Sequence, residues 1–196
     1  MADCEEVIAS RRSVRDLSGD VPEDAIRRIL SAGARAPSPH NTQPWRFVVL
    51  GPSSKSRLAT FLHDRYLMRF GRDPDALAKA GRMRERVSKA PLAILLCLDR
   101  GRIRAGGNYS IEWTMATQSL AAAAENMWLA ALSVGLDAAW FAAPLALAED
   151  IRRELGLEGV LEPQILMLFG RRAAEPRPKQ ELGWRELTVF LGRSPL

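Results

Sequence analysis

One stretch of this sequence, residues 112–135, constrains the fold more than any other. It contains no proline and no interior glycine, and alanine, leucine and methionine dominate it. These residues favour a helix of about six turns, about 34 Å long. Polar residues recur at every seventh position, at Glu112, Ser119, Asn126 and Ser133. They share one narrow stripe, so the sequence predicts a core helix that is buried nearly all round.

The same stretch is long enough to span a bilayer. Polar residues at mid-depth, among them Gln118 and Glu125, argue against a membrane span. Ala116, Ala123 and Ala130 are also seven residues apart and would let another helix approach closely. A chain of 196 residues has few helices with which to surround this one, so a second subunit could supply the missing cover.

Length and composition set broad limits. The chain fits one domain, residues 1–196, large enough for a core without disulfides or metals. Cys4 and Cys97 are too few for a secreted disulfide framework, and the first residues lack the apolar core of a signal peptide, so we expect a cytoplasmic protein. The formal charge is +5, and most cations are arginines. An arginine excess is typical of proteins that bind nucleic acid or an anionic ligand, but it also arises from the amino-acid usage of the source organism. Charge therefore does not decide the function.

An arginine cluster follows a short helix predicted over residues 3–10. Arg11, Arg12, Ser13 and Arg15 place three guanidinium groups and one hydroxyl within five positions. Guanidinium groups form bidentate, charge-assisted hydrogen bonds, and the serine adds a neutral donor, so the cluster suits a phosphate or a planar anion. The alternative is a solvated basic surface without a ligand.

A polar, proline-rich loop occupies residues 36–44 and leads into a strand predicted over residues 46–50. Its three prolines exclude a helix. Such a loop displays amide donors and acceptors in fixed places, which suits recognition of a heterocycle edge or a sugar chain. A purely structural loop would have a similar sequence.

The rest of the chain predicts a mixture of helices and strands. We expect helices over residues 22–35, 55–65 and 145–155, and strands over residues 90–99, 136–141 and 163–170. The strand at 90–99 is continuously apolar and should be covered on both faces. Residues 66–89 are a charged, irregular stretch, typical of a solvated helical cover. His63 has no second histidine or acid at ligand spacing, so no metal site is predicted.

The order and spacing of these motifs resemble the nitroreductase superfamily of flavin-dependent oxidoreductases. The resemblance rests on R-R-S-x-R at residues 11–15, on A-P-S-x-x-N-x-Q-P-W-x-F at residues 36–47, on the long helix, and on G-W-R at residues 183–185. It implies an α+β fold with a mixed sheet flanked by helices. It also implies an intertwined homodimer that binds two FMN molecules at the subunit interface. In this superfamily, insertions such as residues 66–89 often border the substrate mouth.

Carried over residue by residue, the resemblance implies a cofactor site. Arg11, Arg12, Ser13 and Arg15 would contact the FMN phosphate, ribityl chain and pyrimidine edge, and Arg15 would stabilise the anionic reduced flavin. The other subunit would contribute Pro37, Ser38, His40, Asn41 and Gln43. Backbone amides near flavin N5 would come from Ala139 and Trp140, although the acidic-glycine signature usual there is absent. Arg185 would reach the phosphate, or is a surface arginine of the tail.

Two specialised branches of the superfamily also resemble this sequence. The branch that destroys FMN to make dimethylbenzimidazole carries an aspartate where this chain has Ser13, which argues against that activity. The flavin domain that reduces a dehydro precursor in deazaflavin biosynthesis shares a P-x-P-H-x-T loop, here residues 37–42, and a Thr-Met pair in the long helix. This reductase is the alternative function.

The predicted function is an FMN-dependent NAD(P)H oxidoreductase of this family. In the hypothesised ping-pong mechanism, NAD(P)H gives a hydride to the flavin and leaves, and an electron-poor small molecule then accepts the electrons. The sequence has no Gly-x-Gly-x-x-Gly after a strand, consistent with a nicotinamide that docks only transiently. The rivals are a non-catalytic anion- or nucleic-acid-binding module, for which no docking motif is present, and a flavin carrier without turnover.

Overall fold

The computed structural model describes residues 3–104, 106–176 and 181–192. A five-stranded sheet organises these residues, with strands β1 (Leu17–Ser18), β2 (Trp45–Val49), β3 (Leu92–Asp99), β4 (Asp137–Phe141) and β5 (Leu161–Arg172). The strand order is β1-β5-β3-β2, and β4 also pairs with β5. All of these strand pairs are antiparallel. The parallel contact in the described residues is an isolated bridge between Ser13 and Ala138.

Helices cover both faces of the sheet, which confirms the α+β class. They are α1 (Cys4–Ser10), α2 (Glu23–Ala34), α3 (Pro52–Phe70), α4 (Pro74–Lys89), α5 (Tyr109–Leu132), α6 (Ala143–Ala146) and α7 (Ala148–Leu155). Helices α2 and α5 pack on one face, and α3, α4 and α7 on the other. Strand β3 is buried along its whole length. Its side chains alternate between the two cores, as shown by Ile94 on the α5 side and Leu95 on the α3 side.

The middle of the polar stripe of α5, at Ser119 and Asn126, faces the interior of the chain, whereas Ser133 at its end is exposed. Asn126 donates a hydrogen bond from Nδ2 to the carbonyl of Ala32 in α2, at 3.2 Å. Ser119 is 6% exposed, and its hydroxyl bonds to the carbonyl of Met115. Helix α2 approaches α5 closely at Gly33, where a Cβ atom would lie 2.7 Å from Cγ of Met127. Helix α2 therefore makes a close contact with α5 through Gly33 and Met127 rather than through the alanines that are seven residues apart.

The opposite side of α5 is open within one chain. Ile111 is 56% exposed, Thr114 and Gln118 are also exposed, and Met115 and Ala122 are half-buried. One chain thus buries one side of the helix rather than its whole circumference. No helix among the described residues has both the length and the apolar character needed to cross a bilayer.

One local prediction agrees with the structure and one is wrong. Residues 66–89 are largely helical, as in the predicted helical cover, because α3 continues to Phe70 and α4 fills Pro74–Lys89. Asp73 caps α4 by accepting hydrogen bonds from two backbone amides of its first turn. The single helix predicted over residues 145–155 is broken at Leu147, whose φ of −130° separates α6 from α7.

Candidate functional site

A cleft of about 700 Å³ opens beside the end of α1. It contains all four residues of the arginine cluster that the sequence predicts to bind an anion. Its lining consists of Arg11, Arg12, Ser13, Val14, Arg15, Asp16, Arg86, Ala174, Glu175 and Pro176. We call it the arginine cleft. Its volume lies within the range of about 300–1,000 Å³ that is usual for small-molecule sites.

Backbone contacts with β4 fix the segment that lines the arginine cleft. The amide of Val14 donates to the carbonyl of Ala138 at 3.0 Å, and Ser13 forms the bridge to the same residue. Val14 is 3% exposed, whereas Ser13 and Arg15 are exposed. Because side chains alternate along an extended segment, burying Val14 turns the hydroxyl and the guanidinium outwards.

Arg11 is held by two residues of α5. Its Nε lies 3.2 Å from Oε1 of Glu125, and its guanidinium lies 5.1 Å from the ring centroid of Trp128. Trp128 is buried, and its Nε1 has no hydrogen-bond partner among the described residues. Glu125 thus contacts the Nε edge of the guanidinium, and the Trp128 ring covers one of its faces. The Nη groups of Arg11 remain available to an anion in the cleft.

Arg12 and Arg15 differ in their partners. Arg12 donates from Nη1 to the carbonyls of Ala9 and Arg11, at 3.1 and 2.9 Å, and lies 3.5 Å from Glu181. Arg15 is exposed and forms no ion pair within the described residues. Arg15 is therefore the cation of the segment that is freest to meet an anionic ligand.

The proline-rich loop lines a different groove. This loop groove, about 280 Å³ in volume, lies between the loop and the open side of α5. It is lined by Pro37, Ser38, Pro39, Met115, Gln118, Ser119 and Ala122. The lining shares no residue with the arginine cleft. One chain therefore holds the arginine cluster and the loop residues Pro37 and Ser38 in two separate pockets.

The loop holds an uncommon backbone conformation. His40, Asn41 and Gln43 have φ angles of 51°, 53° and 47°, in the left-handed region that non-glycine residues rarely occupy. Hydrogen bonds within the loop support it: the amide of Gln43 donates to Oγ of Ser38 at 3.0 Å, and its Nε2 to Oδ1 of Asn41 at 2.9 Å. Such strain persists only where the surroundings impose it, and it concentrates at functional sites.

The β4 residues of the predicted site have different backbone orientations. Ala139 is fully buried and Trp140 half-buried. The carbonyl of Ala138 points away from β5, because it accepts the Val14 amide. Backbone groups alternate in an antiparallel ladder, so the Trp140 amide also points away from β5, whereas that of Ala139 points towards it. The amide of Trp140 is the one presented to a ligand at this edge.

Arg185 lies outside the arginine cleft. It is exposed, and its guanidinium stacks 4.6 Å from the ring centroid of the neighbouring Trp184. The same C-terminal stretch does approach the cleft at Glu181, which contacts Arg12. The described structure of one chain thus places Arg185 apart from the other predicted phosphate ligands.

The structure adds residues that the sequence patterns did not indicate. Arg86 of α4 lines the arginine cleft and pairs with Asp16, with Nε and Oδ1 3.0 Å apart. At the base of β4, buried Asp137 accepts two hydrogen bonds from Arg172, at 3.0 and 3.1 Å. Both pairs join residues that are distant in the sequence, so no local spacing could have revealed them.

Two titratable groups with shifted pKa values, Cys97 and Lys55, lie away from both pockets. Burial raises the pKa of the Cys97 thiol to about 12, and desolvation lowers the pKa of Lys55. Neither residue lines the arginine cleft or the loop groove. In the part of the chain that the structure describes, no group of three histidine, cysteine or acidic side chains could hold a metal ion. His63 instead contacts the adjacent Asp64, at 2.8 Å.

Known proteins resemble this chain in both sequence and fold. A "Putative NADH dehydrogenase/NAD(P)H nitroreductase" of Methanothermobacter thermautotrophicus is 29% identical over 174 residues, which cover 87% of this chain and 78% of that protein. A solved "putative nitroreductase in complex with FMN" from Desulfovibrio desulfuricans is 26% identical, with a TM-score of 0.77, over 100% of this chain and 99% of that chain. A BluB-like flavoprotein of Clostridium difficile shares the fold at 23% identity, with a TM-score of 0.75 over 97% and 100% of the two chains.

The match to a family model is more extensive than any single motif. The model of the nitroreductase family matches residues 8–171. That range includes the arginine cluster, the proline-rich loop, all five strands except the last residue of β5, and the long helix α5. This chain belongs to the nitroreductase family.

Proposed function

We propose that this chain is an FMN-dependent oxidoreductase that takes electrons from NAD(P)H and passes them to an electron-poor small molecule. The observation that carries the proposal is the arginine cleft, where three arginines and a serine of one short segment meet beside β4. The relatives support it, since the solved D. desulfuricans protein holds FMN and the M. thermautotrophicus protein is named as an NAD(P)H nitroreductase.

The donor set of the arginine cleft suits FMN. A phosphate needs cationic hydrogen-bond donors, and Arg11 and Arg12 supply them at one end of the segment. Ser13 supplies a neutral hydroxyl for the ribityl chain. Arg15, at the other end, would contact the pyrimidine edge. The cleft volume of about 700 Å³ has room for a mononucleotide.

Arg15 would also make reduction of the bound flavin more favourable. Two-electron reduction leaves negative charge on the pyrimidine side of a flavin, and a fixed cation there stabilises that charge. Arg15 suits this role because it is exposed and forms no ion pair with the other described residues. Its backbone is fixed one residue earlier, at Val14.

The remaining residues would position the reactants rather than react with them. Bound FMN would supply the redox chemistry, with NAD(P)H and the acceptor using the same pocket in turn. The Trp140 amide, at the free edge of β4, would donate a hydrogen bond to the flavin ring, and Ala139 would support it through burial in the sheet. No side-chain nucleophile is required.

A second copy of the chain would complete the site. The loop residues Pro37, Ser38, His40, Asn41 and Gln43 would reach the flavin held by the arginine cleft of the other copy. Two observations support this homodimer: the loop groove and the arginine cleft share no lining residue, and α5 leaves one side open, with Ile111 56% exposed. The free thiols Cys4 and Cys97 suit a cytoplasmic location.

The absorbance spectrum of the protein, with FMN and then NAD(P)H added anaerobically, tests the proposal. Flavin bands that bleach with NAD(P)H would support it, and a folded dimer that binds no flavin would refute it. Arg15→Ala should lower both the flavin reduction potential and the rate of reduction, the rate by about tenfold. The matched control is Arg84→Ala, which removes an exposed arginine of α4 outside the cleft. Equal behaviour of the two variants would refute the role of Arg15.

A further inference from the structure

A smaller pocket continues from the arginine cleft along α4. Its volume is about 320 Å³, and it shares Arg15, Asp16 and Arg86 with the cleft. We call it the α4 pocket. A ligand in the arginine cleft could therefore be contacted by groups of α4 without any change in the chain.

The α4 pocket has an excess of positive charge. Its charged residues are Arg15, Arg82, Arg86 and Lys89, opposed by Asp16 and Glu85. Two of the cations are already neutralised, because Arg86 pairs with Asp16 at 3.0 Å and Lys89 with Glu85 at 2.6 Å. Arg15 and Arg82 form no ion pair within the described residues. The pocket thus presents two uncompensated guanidinium groups.

Helical periodicity explains how α4 supplies this surface. Positions 82, 86 and 89 follow one another at spacings of four and three, so they lie along one face. Ala76, Ala80 and Val87 occupy the buried face that packs into the fold. Arg84 is also exposed but does not line the α4 pocket. The helix therefore offers two similar arginines, one inside the pocket and one outside it.

We propose that the α4 pocket binds the phosphate monoester of a substrate that reaches the flavin site. The proposal rests on the function proposed above. A phosphate monoester carries nearly two negative charges at neutral pH and three acceptor oxygens. These match the guanidinium group of Arg82 and the N–H donors of Arg15 that the flavin edge leaves free, since a guanidinium has five such donors. The phosphate has two possible sources, the 2′-phosphate of NADPH or a phosphorylated electron acceptor.

Titration with inorganic phosphate tests the pocket itself. The FMN-loaded protein and its Arg82→Ala and Arg84→Ala variants are titrated calorimetrically at one ionic strength, because surface electrostatics depend on salt. We expect Arg82→Ala to weaken phosphate binding by about threefold to tenfold and Arg84→Ala to leave it unchanged. An equal effect of the two substitutions would overturn the proposal.

Two further measurements separate the alternatives. If Arg82→Ala lowers kcat/KM for NADPH but not for NADH, the phosphate comes from the dinucleotide. If neither value changes while phosphate binding is lost, it comes from the acceptor. If Arg82→Ala weakens FMN binding but not riboflavin binding, the pocket holds the FMN phosphate and the proposal is wrong. A colourless protein that binds no FMN would refute the proposed function, whereas its phosphate titration would still decide the pocket.

Discussion

Replacing Asp137 by asparagine should destabilise the chain near the arginine cleft. Asp137 is the first residue of β4 and is 6% exposed. Its carboxylate accepts two hydrogen bonds from Arg172, the last residue of β5, and Arg172 also donates to Glu175 at 2.9 Å. Asp137→Asn keeps the shape of the side chain but removes its charge and one acceptor oxygen. Arg172 then loses its buried counterion.

The expected loss follows from the burial of the two partners. Removing one partner of a fully buried ion pair costs about 3–5 kcal/mol. The Arg172 side chain is 33% exposed and can recover some hydration, so we expect a loss of about 2 kcal/mol in the free energy of unfolding. For a chain of this length, the midpoint of thermal unfolding should fall by about 4–8 °C. The hydrogen bond to Asp137 raises the pKa of Arg172, so Arg172 stays charged and the loss should not change from neutral to mildly alkaline pH.

Urea unfolding followed by circular dichroism measures this loss. Asp75→Asn is the matched control, because Asp75 pairs with Lys79 at 2.6 Å on the surface, with side chains 70% and 51% exposed. We expect it to cost less than about 1 kcal/mol. Adding Arg172→Gln to the Asp137 variant should cost little more, since the pair is already broken. A loss from Asp137→Asn no larger than the control would refute the reasoning.

Two further predictions concern the core and its thiols. Gly33→Ala should cost about 1–3 kcal/mol, because the new Cβ would lie 2.7 Å from Cγ of buried Met127. The control Gly81→Ala, which meets no atom within 4 Å, should instead stabilise α4 by up to about 1 kcal/mol; denaturant midpoints compare them. Iodoacetamide should label exposed Cys4 in the native protein and leave Cys97 unlabelled until unfolding, since burial raises the Cys97 pKa to about 12. Mass spectrometry measures the labelling, and modification of both thiols in the native protein would contradict the prediction.

The elements with a strong local signal were predictable from sequence. Strand β3 is a continuous apolar run, and the structure buries all of it. Helix α5 is rich in strong helix formers and ends within three residues of the prediction, at Leu132. In both cases, the residues that favour the element also bury it. Family membership, predicted from the order of the motifs, is likewise confirmed.

The bounds of helix α4 escaped prediction because its buried face is made largely of small residues. Ala76, Ala80 and Val87 are buried, whereas the charged side chains of the helix are exposed or, at Arg86, half-buried. Alanine contributes little to a hydrophobic pattern, so residues 66–89 indicate a solvated helical cover but not where its helices begin and end. The packing of α3 against α4 buries these small residues and stabilises the helix, which the local sequence pattern does not show. For the same reason, the sequence did not indicate Arg86, whose place in helix α4 brings it to the arginine cleft.

The sequence could name candidate site residues but not how the chain arranges them. Sequence could indicate that Ser13 and Arg15 suit an anion, but not that Val14 hydrogen-bonds to Ala138. That contact joins two distant segments, and it determines which side chains face the cleft. The roles assigned to individual residues stay predictions.

The two halves of the proposed site share one physical design. In the arginine cleft, a backbone hydrogen bond at Val14 sets the direction of Ser13 and Arg15. In the loop, Gln43 donates one hydrogen bond to Ser38 and one to Asn41, and these bonds support the left-handed backbone. Both devices fix the main chain first and let short or charged side chains follow, which reduces the ordering that a ligand must impose. A site whose task is to position a flavin and neutralise its charge needs that preorganisation more than it needs a reactive side chain.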